Sequence, residues 1–147
     1  MKDMESAFAE CDVAGPATEA MVSDAEHTLG VTFPPTYRAF LRRYGAVQGR
    51  GFWIAGLASR SESNQPYWSD LVTDTLSARA SGNGLIPPSY VAIADDGGDY
   101  TFFLDTSVVD SRGECPIIAM GPGVDALVIA PDFAEFAVKL AKDEIVF

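Results

Sequence analysis

Glu26-His27-Thr28-Leu29-Gly30-Val31-Thr32-Phe33-Pro34-Pro35-Thr36-Tyr37-Arg38-Ala39-Phe40-Leu41-Arg42-Arg43-Tyr44-Gly45 reads as the end of one helix, a sharp turn and a second, amphipathic helix. Tyr37, Phe40, Leu41 and Tyr44 recur at i, i+3, i+4 and i+7, which places them on one apolar helical face. Arg38, Arg42 and Arg43 fall on the remaining surface. Gly30 suits the left-handed position just past a helix C-terminus, where a side chain would cost energy. Pro35 suits the first turn of the next helix, because its missing N–H would have had no intrahelical partner there. Such a pair of helices is not stable alone and needs a further layer to bury its shared face.

Working outward, residues 1–16 end in Ala14-Gly15-Pro16 and read as an N-terminal lead-in, partly helical from Met4 to Cys11. Residues 17–147 form the domain proper. Its first helix runs from Ala17 to Leu29, with Ala17, Met21, Ala25 and Leu29 or Thr28 facing inward. Beyond the opening pair, Gly45 to Gly51 is a glycine-bearing connection, and Phe52-Trp53-Ile54-Ala55-Gly56-Leu57 reads as a short buried strand. Arg60 to Pro66 is polar loop. Ser69 is placed to cap a third helix reaching about Ala80, with Trp68, Leu71, Val72 and Thr75 on one side.

After Pro87-Pro88 the hydrophobic period changes to two. Tyr90–Ala94 and Tyr100–Leu104 flank Asp95-Asp96-Gly97-Gly98-Asp99, a hairpin signal. Strands over Cys115–Met120 and Ala126–Ile129 follow, separated by Gly121-Pro122-Gly123. Asp132 and Glu135 have the spacing of a capping box at the start of a last helix with Phe133, Phe136, Ala137 and Leu140 inward. Helices, then antiparallel strands around one helix, then a closing helix make an α+β fold, an antiparallel sheet flanked by helices in a single domain.

The 147 residues, 48% apolar and 11% aromatic, suffice for an independent core. No stretch approaches the ~20 apolar residues that span a bilayer, and the start lacks a signal-peptide run, so a soluble cytoplasmic protein is expected. The net charge of −11 is lopsided. Residues 1–60 hold six Lys/Arg against seven Asp/Glu, whereas residues 61–147 hold four against fourteen. Such a field repels nucleic acid and anionic membrane and attracts basic partners; an acidic surface also serves solubility alone.

Catalytic chemistry finds little support. His27, the single histidine, sits on the first helix among charged residues, and the two cysteines, Cys11 and Cys115, read as reduced thiols without metal-ligand spacing. Asp95, Asp96 and Asp99 read as turn acids: counted from Asp95, an EF-hand would need glycine where Tyr100 stands and glutamate where Thr106 stands. Gly45-Ala46-Val47-Gln48-Gly49-Arg50-Gly51 lacks the Lys-Ser/Thr of a phosphate loop. No enzyme, cofactor or metal is implied. Aromatics beside acids instead make a recognition surface for a basic protein. Tyr67 and Trp68, with Asp70, Asp74, Asp95, Asp96 and Asp99, are the candidate partner-binding residues, while Trp53 is assigned to the core.

The ordered set of Glu26-x-x-Leu29-Gly30-x-x-Phe33-Pro34-x-x-Tyr37-x-x-Phe40-Leu41-x-x-Tyr44, Thr75-x-x-x-Arg79, Pro87-Pro88 leading into Val91-Ala92-Ile93, Asp96-Gly97-Gly98-Asp99, Leu104-Asp105 and Asp132-Phe133-x-x-Phe136 resembles the SMI1/KNR4 family, or SUKH superfamily. Tyr44-Gly45-Ala46 departs from the Asn-Gly that often follows the second helix there, so no role for that Asn carries over. The resemblance implies a non-enzymatic α+β domain. Many bacterial members look like immunity proteins that neutralise nuclease or deaminase toxins, and a eukaryotic branch is linked to regulation of cell-wall glucan synthesis. An acidic inhibitor would meet a basic toxin domain with complementary potential.

Overall fold

A computed structural model describes residues 2–58, 68–81, 85–96 and 98–145. In chain order these form α1 (Lys2–Ala7), β1 (Asp12–Val13), α2 (Glu19–Leu29), α3 (Pro35–Arg43), β2 (Val47–Gly49), β3 (Phe52–Ile54), α4 (Leu71–Ser81), β4 (Tyr90–Asp95), β5 (Thr101–Asp105), β6 (Ile117–Gly121), β7 (Val124–Ala130) and α5 (Phe133–Ala141). The strands make one antiparallel sheet whose spatial order follows the chain from β1 to β7. The α+β architecture in a single domain is as the hydrophobic pattern predicts.

The opening pair forms because the chain satisfies each helix end. Thr18 caps α2 by accepting the Met21 N–H at 3.1 Å, and Gly30 ends it at φ 70°. Glu26 then accepts the Phe33 N–H at 2.7 Å and pairs with Arg38, which locks the turn against both helices. Pro34 offers α3 no side-chain cap; the buried Glu114 supplies one from the loop before β6, taking the Thr36 N–H at 3.1 Å and its hydroxyl at 2.7 Å.

The apolar face of α3 is the centre of the core. Tyr37, Phe40 and Leu41 are fully buried, and Phe133 of α5 lies 4.9 Å from the Tyr37 ring and 5.1 Å from the Phe40 ring, centroid to centroid. Such aromatic contacts add to the area they bury. Phe102 of β5 meets Phe136 at 5.1 Å, which fastens α5 to the sheet. Met4 and Phe8 join the same core, with Phe8 edge-on to Tyr44 at 5.3 Å.

Gly45 and Gly56 let two backbones touch. A Cβ at Gly56 would stand 1.6 Å from the Gly45 carbonyl oxygen, and one at Gly45 would stand 2.1 Å from the Gly15 oxygen. The approach is used: the Leu57 N–H donates to Gly45 O at 2.9 Å. It also bends the chain out of β3 after Ile54, so the strand is shorter than the apolar run from Phe52 to Leu57 suggests.

Helix α4 fills the resulting gap beside β4. Its first backbone N–H, from Leu71, donates to Gly56 O at 3.0 Å, and the buried Thr75 hydroxyl accepts the Ala92 N–H at 2.9 Å in place of a strand partner. Arg79 ties the helix down by donating to Leu29 O at 3.3 Å and Pro88 O at 2.5 Å.

Several local expectations need correction. Asp70, not Ser69, caps α4, accepting the Thr73 N–H at 2.8 Å. Asp132 caps α5 through the Glu135 N–H at 2.9 Å, but the capping box is half made, since the Glu135 carboxylate reaches Lys139 at 3.1 Å. The Gly45–Gly51 connection contains β2, a strand that its glycines and Gln48 conceal. Val22 replaces Met21 on the inner stripe of α2, because the Met21 sulfur turns back to the Thr18 N–H.

Candidate functional site

Alternation along β3 points Phe52 and Ile54 into the core and Trp53 to the opposite, outer face. Trp53 pairs with Asp95 of β4, and Asp95 with Thr101 of β5, so the three share that outer face. A shift in register between Ala92 and Ala94 is what brings Asp95 round to it. Helix α4 rises beside them and closes a groove of about 390 Å³ lined by Trp53, Ser69, Asp74, Ser77, Asp95 and Thr101, with Ala78 and Ala92 deeper in.

The groove concentrates negative charge. Burial pushes the Asp74 carboxyl above its ordinary range, and the neighbouring Asp70 and Asp95 push it the same way. None of the ion pairs among the described residues involves Asp70 or Asp74. The arginines of α3 are committed elsewhere: Arg38 to Glu19 and Glu26, Arg42 to Glu19, and Arg43 to Glu5. Arg112 is held by Asp110 at 2.7 Å and Asp132 at 2.9 Å. Among the described residues these four arginines are thus held on the helical layer and the β5–β6 loop, and none of them lines the groove.

The structure brings Asp74 and Asp95 into one groove, with Asp70 at the start of the same helix. Trp68 is half-buried in the segment leading into α4 and does not line the groove; Tyr67 lies outside the described residues. Asp96 and Asp99 stand apart. The Asp96 carboxylate accepts the Gly98 N–H at 2.9 Å and shapes the β4–β5 turn, while Asp99 is exposed on that turn. Trp53, assigned to the core from its apolar surroundings, is instead half-buried in the groove wall. The signal was present in the alternation of Phe52, Trp53 and Ile54. Ser69 and Ser77 carried none, since serines of a helix surface look alike.

The chemistry of the remaining groups agrees with binding. His27 is exposed on α2, whereas Cys115 is buried, its thiol pushed up to about 11 by burial and then by Glu114. A thiol so protonated is a poor nucleophile at neutral pH. Among the described residues no group of three His, Cys, Asp or Glu side chains is placed to hold a metal ion, and no helix is long and apolar enough to cross a membrane.

Comparison with curated proteins finds no match. The family model described as SMI1 / KNR4 family (SUKH-1) matches residues 16–139, a span that runs from the loop before α2 into α5 and includes the groove. The chain therefore belongs to the SMI1/KNR4 family.

Proposed function

We propose that this protein is an immunity protein without catalytic activity, which binds and neutralises a basic toxin domain through the acidic groove between α4 and the outer sheet face. The observation that carries this reading is the placing of Asp74 and Asp95 in one groove, beside Asp70, with the cations of α3 paired away from it. A nuclease or deaminase that grips nucleic acid presents Lys and Arg, and complementary potential speeds encounter with such a surface and rejects acidic proteins. Trp53 supplies an aromatic wall against which an arginine can stack. Trp68, and Tyr67 next to it in sequence, serve as flanking anchors, and Asp96 and Asp99 extend the field around the turn. The protein acts in the cytoplasm, where the partner is met before it reaches nucleic acid.

Co-expression with the toxin domain encoded beside this gene tests the proposal. Growth is rescued by the intact protein and lost again with the triple variant Asp70→Asn, Asp74→Asn, Asp95→Asn. A toxin that kills equally well with and without the protein would refute it for that pair. Recovery of cell-wall or metabolic proteins from the native cell, with no toxin gene nearby, would favour a regulatory or scaffold role.

A further inference from the structure

A second groove, of about 530 Å³, opens on the helix-covered side of the sheet, between the β2–β3 turn and the end of α5. Phe52, Phe102 and Leu140, all buried, form its floor. Arg50 and Lys142, both exposed, stand at its rim with Asp96 and Asp143. Among the side chains that the structure describes, Arg50 and Lys142 are the Lys and Arg residues with neither an ion pair nor a hydrogen bond. In a chain of net charge −11, these two cations stand together at one groove.

We propose that this groove binds an apolar body that ends in a carboxylate. The volume falls within the roughly 300–1,000 Å³ of ligand sites, and the aromatic and aliphatic floor suits an acyl or aryl group. The guanidinium of Arg50 matches a carboxylate in two-pronged geometry, and Lys142 adds a second positive charge. Inorganic phosphate has no apolar body to lay on Phe52, Phe102 and Leu140, so it tests the charge contribution alone. The acids elsewhere on the molecule matter less here, because charges beyond about 8 Å are screened at physiological salt.

The test is an amide NMR titration of the full chain with octanoate and with N-acetyl-L-phenylalanine, each against its neutral primary amide, and with inorganic phosphate. Saturable shifts at Phe52, Phe102, Leu140 and Lys142 are expected, with a Kd at or below about 1 mM. The neutral amides, and the double variant Arg50→Gln, Lys142→Gln, should each bind at least about tenfold more weakly. Tighter octanoate identifies an acyl acid as the ligand class, and tighter N-acetyl-L-phenylalanine a chain-terminal carboxylate. Shifts that fail to saturate by about 10 mM, or that are unchanged in the amides or the double variant, overturn the proposal. So does phosphate binding more tightly than either acid. Both substituted side chains are exposed, and the same spectra report whether the variant keeps its fold. Since no toxin enters the measurement, its outcome is separate from that of the immunity assignment.

Discussion

Glu114 and Thr36 meet across 78 positions of sequence: one buried carboxylate takes both the backbone N–H and the hydroxyl of the second residue of α3. The helix begins at Pro34-Pro35, which leaves no side chain of its own to satisfy the first free N–H groups. The loop before β6 does so instead, so the central helix is completed by the sheet it packs on. Replacing Glu114 with Ala should cost about 2 kcal/mol of unfolding free energy, the scale of a charged hydrogen bond at a buried helix end. Urea titration of Glu114→Ala, Thr36→Val and the double variant checks it. Additive losses would show that the two residues are not coupled.

The Thr75 hydroxyl stands in for a missing strand partner of Ala92. Thr75→Val keeps the shape and strands a buried N–H, so a loss of about 1–3 kcal/mol is expected, while Thr75→Ser should lose less. Hydrogen exchange at the Ala92 amide should accelerate in the valine variant more than at its neighbours in β4. Equal protection in both variants would remove the hydroxyl from this role.

Gly56→Ala should be among the most damaging single changes in the chain. The added methyl would lie 1.6 Å from a backbone oxygen, and Gly56 O also accepts the Leu71 N–H at the start of α4, so the segment cannot shift without disturbing that helix. A loss of more than about 4 kcal/mol, or failure to fold, is expected, against only about 1–2 kcal/mol for Gly51→Ser, where a side chain at positive φ is strained but meets no neighbour. A thermal melt within a few degrees of the parent for Gly56→Ala would contradict the contact.

Asp74 trades stability for charge. Its folded pKa lies above the unfolded value, so ionised Asp74 disfavours the fold; this penalty is complete above the folded pKa and vanishes as pH falls below the unfolded one. Asp74→Asn should therefore raise the melting temperature at neutral pH and leave it unchanged near pH ~3. The same variant should slow association with a basic partner and flatten its salt dependence. Stabilisation that persists undiminished at acid pH would mean that packing, not charge, was altered. At a pH of about 4, inside the carboxylate titration range, binding of a cationic side chain should return the carboxyl towards its ordinary range and release protons, which calorimetry in buffers of different ionisation enthalpy reads directly.

The helical half of the fold was legible because its signals are local. Gly30, Pro35 and the Tyr37–Tyr44 stripe each announce a helix boundary or face within a few residues. The Asp95–Asp99 turn was equally plain. What sequence did not show is non-local: Glu114 as the cap of α3, Thr75 as a surrogate strand, and the contact of Gly45 with Gly56 depend on segments brought together by the whole fold. The same holds for the groove. Its acids were picked out as a class, but the register shift in β4 decides that Asp95 joins Asp74 while Asp96 turns towards the other side. Trp53 was misassigned because apolar neighbours outweighed a three-residue alternation.

The packing of Phe133 against Tyr37 and Phe40 bears on how the chain emerges from the ribosome. Each strand after β1 pairs with the strand before it in the chain, so the sheet can assemble in the order of synthesis. The aromatic stripe of α3 finds Phe8 and Phe33 early, but its contacts with Phe133 wait for a helix encoded roughly a hundred codons later, several seconds of elongation at about 5–20 residues per second. During that interval the nascent chain shows part of its core to chaperones and proteases, and a folded binding surface would exist only once α5 has cleared the exit tunnel and docked.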